Sequence, residues 1–215
     1  MRIEPNSKLV MIGDSITDAN RVKPIGEGLF DAYGKGYVCQ VEALLTTAYP
    51  TRRIRVVNQG LSGNTVRDLK NRWQQDVLDL KPDWVSIMIG INDVWRQFDS
   101  PFQTETHVHL DEYAATLEEL VLRTRPLLKG LVLLSPYFIE QNKSDPMRLQ
   151  MDRYGAAVRD LAKRSDATFV DVQAAFDAVI AHCHPMALAW DRIHPGAPGH
   201  MVITRAFLKA LDFAW

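Results

Sequence analysis

Four short stretches of this chain carry residue types that, brought together, could open an ester bond. They are Gly13-Asp14-Ser15, NQGLSGNT at 58–65, GIND at 90–93 and WDRIHPGAPGH at 190–200. Acyl transfer needs a hydroxyl nucleophile, a base for its proton, an acid that orients the base, and donors for the developing oxyanion. Ser15 offers the hydroxyl. His194 offers an imidazole, a base suited to neutral pH. Asp191, three residues earlier, can turn back onto the other ring nitrogen and fix its tautomer. The backbone N–H groups of Ser15 and Gly63 and the side-chain amide of Asn92 can aim at one oxygen, and a glycine at 63 lets a substrate come close to its N–H.

Each signal has a plainer reading when taken singly. Ser15 or Asp14 could cap a helix, the usual work of Ser and Asp at a strand-to-helix turn. Gly60 and Gly63 could serve turn conformations only, Asn64 could cap the helix that carries Val66 and Leu69, and Asn92 could be a cap or turn residue. Asp191 and His194 could be a surface ion pair. His107, His109, His182 and His184 are assigned to solvent or core, without roles. A rival enzyme reading makes Asp14, Asp18, Asp93, Asp191 and His194 ligands of a divalent metal in a phosphoesterase, but it leaves Ser15, Gly63 and Asn92 idle. A third reading is a carbohydrate-binding module without catalysis. The G-x-S-x-G elbow is absent around Ser15, and no phosphate-binding glycine loop follows a strand.

For the four stretches to meet, the chain must bring them to one rim. Short apolar, β-branched runs at Leu9–Ile12, Ile54–Val57, Val85–Ile89, Leu131–Leu134 and Thr168–Val170 predict strands buried on both faces. Between them run stripes at helical spacing: Val66, Leu69, Trp73, Val77 and Leu80; Leu110, Tyr113, Leu117, Leu120 and Val121; Met147, Met151, Tyr154, Val158 and Leu161. A last helix is expected from near Gly199 to Leu211. This alternation predicts an α/β fold of three layers, a parallel sheet between helices joined by right-handed crossovers. In open sheets of that kind ligands gather at the carboxyl ends of the strands, where the first three stretches begin. The irregular, glycine-rich segment 18–37 hangs at the same end and is expected to wall a pocket.

The 215 residues fit one domain spanning 1–215, and 25 Lys and Arg against 26 Asp and Glu provide no basic field for a nucleic acid. The apolar run Leu9–Ile12 is too short for a leader core, and no membrane role is expected. Cys39 and Cys183 lie far apart without a metal spacing, which fits a reducing, cytoplasmic setting. The proposed chemistry calls for no cofactor and no metal. Apolar and aromatic residues in 181–190 and 212–215 suit a subunit interface or packing back onto the domain; a homo-oligomer is expected.

The four blocks, in this order and spanning nearly the whole chain, resemble the SGNH hydrolases, or GDSL-type esterases. Ser15 stands in the GDS block, Gly63 in the second, Asn92 in GxND, and Asp191 with His194 in the DxxH pair. Ile16 replaces the Leu of the older signature, which leaves the chemistry alone. The resemblance implies a flavodoxin-like sheet of order 2-1-3-4-5. The stretches IGDSITD, SGNTVRDL, PDWVSIMIGINDVW and ALAWDRIHP are also similar to the bacterial acetylxylan and acetyl-xylooligosaccharide esterases of that family. What this implies is a serine esterase that removes short acyl groups, chiefly acetyl, from a small acetylated saccharide. A lipase, lysophospholipase or thioesterase with another leaving group is the alternative. Asp14, Asn64, Trp95 and Trp190 are the candidate substrate-binding residues, the indoles as flat faces for a pyranose. Asp18 to Arg21, Asn64, Asp93 and Arg96 are expected to give the rim a polar character that favours a short acyl pocket.

Overall fold

Five strands form one parallel sheet, four of them buried along nearly their whole length: β1 Lys8–Gly13, β2 Arg55–Gly60, β3 Trp84–Met88 and β4 Gly130–Leu134, with the edge strand β5 Thr168–Val170 fully buried only at Val170. The computed structural model describes residues 1–215. Strand order is β2-β1-β3-β4-β5, with Val10 of β1 beside Val57 on one side and Val85 on the other. The helices are α1 Ser15–Asp18, α2 Tyr37–Ala48, α3 Val66–Trp73, α4 Ile91–Asp99, α5 Leu110–Thr124, α6 Pro146–Arg164, α7 Val172–Ile180 and α8 Ala197–Ala210. The predicted stripes face the core: Val66, Leu69 and Trp73 of α3, Tyr113, Leu117 and Val121 of α5, and Met151, Tyr154 and Val158 of α6 are all buried. Fully buried Trp73 satisfies its indole N–H on Thr124 Oγ1 at 2.8 Å, so its bulk packs without an orphaned donor.

The five predicted strands all exist, and their order is the one the family resemblance implies. The second strand departs most, running to Gly60 where the apolar pattern stops at Val57. Asn58 and Gln59 belong to the sheet and not to the following loop. Asn58 is buried because its Nδ2 donates to the Thr17 and Tyr33 carbonyls, at 2.8 and 2.9 Å, while its Oδ1 accepts from Gly60 N–H at 2.8 Å. A polar side chain whose bonds are all met costs little to bury, so its polarity did not mark a loop.

Strand order also sets the site. The chain winds from β1 to β2 on one side and returns to β3 on the other, so the connections leaving β1 and β3 diverge and open a crevice at their carboxyl ends. Ser15 leaves β1 there, and Asn92 leaves β3 there.

Candidate active site

Ser15 enters the crevice because Gly13 ends β1 and Asp14 starts a helix at once. Asp14 is the N-cap: its Oδ1 accepts from Ile16 N–H at 3.0 Å, leaving Ser15 as the first helical residue. The capping alternative raised for the pair therefore falls to Asp14, and the Ser15 hydroxyl is free for other work. It lies 2.9 Å from His194 Nε2. His194 Nδ1 lies 2.7 Å from Asp191 Oδ2. The other oxygen of Asp191 accepts from the backbone N–H groups of Ile193 and His194 at 3.0 and 2.8 Å, so the carboxylate folds its own turn and aims at the ring in one arrangement. Buried Tyr137 braces this turn by donating to the Ile193 carbonyl at 3.1 Å. Burial raises the pKa of Asp191, but the bonds from the His194 ring and from the two backbone N–H groups outweigh it and hold the carboxyl below its ordinary range. The carboxylate beside the imidazole is thus ionised, the state that fixes a tautomer with the proton on Nδ1.

Three donors border the same space. Ser15 N–H sits in the first turn of α1, where no intrahelical acceptor exists. Gly63 has φ +82°, and a Cβ there would meet nothing within 4 Å, so the glycine serves the backbone conformation, and its N–H donates to no backbone carbonyl. Asn92 is buried at the start of α4 and donates one amide hydrogen to the Asn64 carbonyl at 2.9 Å, which leaves the second for the crevice.

The loop that carries Gly63 is held from several sides. Asp18 Oδ2 accepts from Ser62 N–H at 3.1 Å, Ser62 Oγ at 3.0 Å and Lys23 Nζ at 3.0 Å. Asp93 Oδ1 accepts from Val66 N–H at 2.9 Å, so consecutive residues of α4 grip the loop at Asn64 and Val66. Arg72 donates to Asn64 Oδ1 at 2.7 Å and to the Gln59 and Gly13 carbonyls at 2.9 and 3.0 Å, which ties the ends of β1 and β2 to the loop. Burial pushes the Asp93 carboxyl up to about 7, and the nearby Asp14 charge adds to this; burial likewise pushes Asp14 up to about 7.

The cleft around Ser15 measures about 600 Å³. Gly63, Asn92, Trp95, Arg96 and His194 line it, as do Ala19, Asn20 and Lys35 from the two ends of the 18–37 segment, which walls the pocket as expected. Trp95 stands edge-on to the His194 ring with centroids 6.0 Å apart, and the Arg96 guanidinium lies over the indole at 4.5 Å.

Several expected site residues lie elsewhere. Asp14 is 1% exposed, accepts from Ile16 N–H inside the turn and does not line the cleft. Asp18, Arg21 and Asp93 are buried and shape the loops behind the cleft; they give its rim no polarity. The Asn64 side chain is taken by Arg72 and does not line the cleft. Trp190 is 78% exposed and lies outside the cleft lining. The acids of the metal reading accept hydrogen bonds at separate places, Asp14 and Asp191 in their own turns, Asp18 on Ser62 and Asp93 on Val66, and no three His, Cys, Asp or Glu residues are grouped to hold an ion. The sequence reading missed Arg72, whose partners are the Gln59 and Gly13 carbonyls and the Asn64 and Asp76 side chains, and His200, which lines the cleft. Only the placement of His200 on the first turn of the last helix, six residues after His194, could have marked it.

Residues 11–202 match the model of the GDSL-like lipase/acylhydrolase family. The chain is 58% identical over 215 residues to the acetylxylan esterase of Geobacillus stearothermophilus, covering 100% of this chain and 98% of the relative. The crystal structure of that esterase superposes with a TM-score of 0.99 over 100% of this chain and 98% of its own. Its solved structures include the catalytic mutants S15A, D191A and H194A, the three residue types joined here by hydrogen bonds. An α/β hydrolase from the metagenome of Lake Arreo, Spain, is 59% identical over 99% of this chain and 98% of its own, with a TM-score of 0.98. The family match runs from β1 into α8, through every element that feeds the cleft, and the chain accordingly belongs to the GDSL-like lipase/acylhydrolase family as a serine esterase, a carboxylic-ester hydrolase.

Proposed function

We propose that this esterase removes acetyl groups from acetylated xylo-oligosaccharides through an acyl-enzyme on Ser15. The observation that carries the reading is the unbroken chain from Ser15 Oγ to His194 to Asp191 at the edge of an open cleft. His194 Nε2 takes the Ser15 proton as the hydroxyl oxygen attacks the ester carbonyl. The oxyanion so formed is met by Ser15 N–H, Gly63 N–H and the Asn92 amide. Asp191 stabilises the imidazolium without accepting its proton. The imidazolium then protonates the departing sugar oxygen, leaving acetyl on Ser15. A water gives its proton to the same imidazole, attacks the acyl-enzyme, and acetate leaves as Ser15 regains its hydrogen.

Short acyl groups fit a cleft bordered by Gly63, Asn92 and Arg96 with no continuous apolar channel among its lining residues. A saccharide fits the Trp95 indole beside His194, a flat face with polar neighbours. The similarity to an acetylxylan esterase supports the same substrate class. The test is a panel of acetyl, butyryl and octanoyl esters of one chromogenic alcohol, followed by acetate release from acetylated xylo-oligosaccharides against a lysophospholipid. Preference for acetyl and for the sugar is expected. Preference for octanoyl or for the lipid reassigns the substrate.

A homo-oligomer is supported by exposed Trp190, Met186 and Trp215 and by an apolar groove of about 860 Å³ between α7 and α8, although Phe213 packs back against Tyr49. A monomer mass by light scattering at micromolar concentration refutes it. A cytoplasmic setting is supported by Cys39 and Cys183 standing as free thiols.

A further inference from the structure

His200 lines the cleft yet has no part in the cycle above, although the fold holds its ring with care. Its Nδ1 accepts from Tyr37 N–H at 3.2 Å, and its ring lies nearly parallel to that of Tyr37, with centroids 6.5 Å apart. Gly36 makes the seat: a Cβ there would fall 2.7 Å from His200 Cε1 and 2.6 Å from the Ala19 Cβ, so any side chain at 36 displaces the ring or the wall. An imidazole that accepts at Nδ1 carries its proton on Nε2. Burial first, and then the charge of His194, push its pKa down to about 4, which keeps the ring neutral at neutral pH. A neutral ring also adds no charge against the imidazolium that forms on His194.

The Nε2–H has no acceptor within the chain. The buried side-chain polar atoms that lack a partner are Ser7 Oγ, Ser86 Oγ and Asp93 Oδ2; His200 Nε2 is not among them, so solvent reaches it from the cleft that the residue lines. An acetyl ester carries two oxygens. The carbonyl oxygen is met by the three oxyanion donors, and the bridging oxygen receives its proton from His194. A fourth fixed donor in the cleft therefore finds its acceptor only on the alcohol portion of the substrate.

We propose that His200 is a specificity-determining residue whose Nε2–H donates a hydrogen bond to a hydroxyl or ring oxygen of the sugar that carries the scissile acetyl group. This rests on Ser15 being the esterase nucleophile in the same cleft. The assignment discriminates polyhydroxyl leaving groups from plain ones, because a donor built to meet an oxygen is left unpaired when the alcohol has none.

The experiment compares kcat/KM on acetylated xylobiose with kcat/KM on 4-nitrophenyl acetate, whose alcohol bears no further hydroxyl. In His200→Phe the ratio of the two should fall about 5–10-fold, mostly through KM for the sugar, the effect of one neutral hydrogen bond. His200→Gln, which can accept from Tyr37 N–H and still donate, should recover part of the ratio. An unchanged ratio, or equal losses of kcat on both esters, overturns the proposal. If the wild-type enzyme turned over neither ester, the Ser15 reading would fail instead. A measurement on the wild-type protein does not depend on the variants folding: nitrogen NMR at about pH 7 should find His200 neutral with its proton on Nε2, and this signal should move on saturation with xylobiose. A cationic ring, a proton on Nδ1, or no movement overturns the assignment equally.

Discussion

Replacing Asp93 by Asn should change how the stability of this enzyme depends on pH more than it changes the stability itself. Asp93 is fully buried, accepts one backbone N–H from Val66, and leaves its Oδ2 with no partner. Burial, with the Asp14 charge behind it, moves its pKa from 3.8 to about 7. Between those two values the folded chain holds a proton that the unfolded chain has given up, so the stability contributed by the neutral carboxyl is fully present below the unfolded pKa and is lost as pH rises through the folded one. The gap of about 3 pH units corresponds to about 4 kcal/mol at 1.36 kcal/mol per unit. The Asn side chain keeps the acceptor for Val66 but places an N–H where Oδ2 has no partner, at a cost of about 1–3 kcal/mol that does not vary with pH. The substituted amide never ionises. Urea unfolding of both proteins from about pH 4.5 to about pH 8 therefore should find the variant the weaker at acid pH and the difference moving in its favour by about 3 kcal/mol at alkaline pH. Asp14 titrates in both proteins, and its repulsion of an ionised Asp93, present only in the parent protein, is part of the same difference. Parallel stability curves would refute the reasoning, because they mean that Asp93 holds its proton, or lacks it, alike in the folded and unfolded chains.

Ser15→Ala should lower acetyl-ester turnover at least ~10⁴-fold while shifting unfolding free energy by no more than about 0.5 kcal/mol, since the half-buried hydroxyl has His194 as its hydrogen-bond partner and borders the open cleft; residual turnover well above background excludes Ser15 as nucleophile. Asn92→Ala should reduce kcat by ~10²–10³-fold with a smaller change in KM, the loss of one oxyanion donor, and an effect confined to KM would make Asn92 a ground-state binding residue.

Much of the candidate site is legible in the sequence. Ser15, Gly63, Asn92, Asp191 and His194 follow strand ends or precede the last helix, and parallel α/β topology leads such positions to one rim. What misled was polarity read as exposure. Asp14, Asp18 and Asp93 look like cleft residues because charged side chains usually face water, yet Asp14 bonds inside its own turn while Asp18 and Asp93 reach across to Ser62 and Val66, and those bonds go with their burial. Asn64 and Trp190 were placed in the cleft by nearness in sequence to Gly63 and Asp191, whereas one residue along a loop is enough to turn a side chain onto Arg72 or out to solvent.

The sequence by itself determined the alternation of strands and helices, because apolar period and β-branching are local properties that local chemistry sets. It also determined which residue types could supply a nucleophile, a base and an oxyanion hole, because chemistry belongs to the side chain. Tertiary structure alone decided the 2.9 Å approach of Ser15 to His194, residues 179 positions apart. It decided too which polar groups serve the reaction and which brace it. Asp93 became a clamp and His200 a fixed donor only when α4 met the Val66 turn and α8 met Gly36. Such roles arise from distances across the chain, and no residue's own type or its neighbours in sequence record those distances.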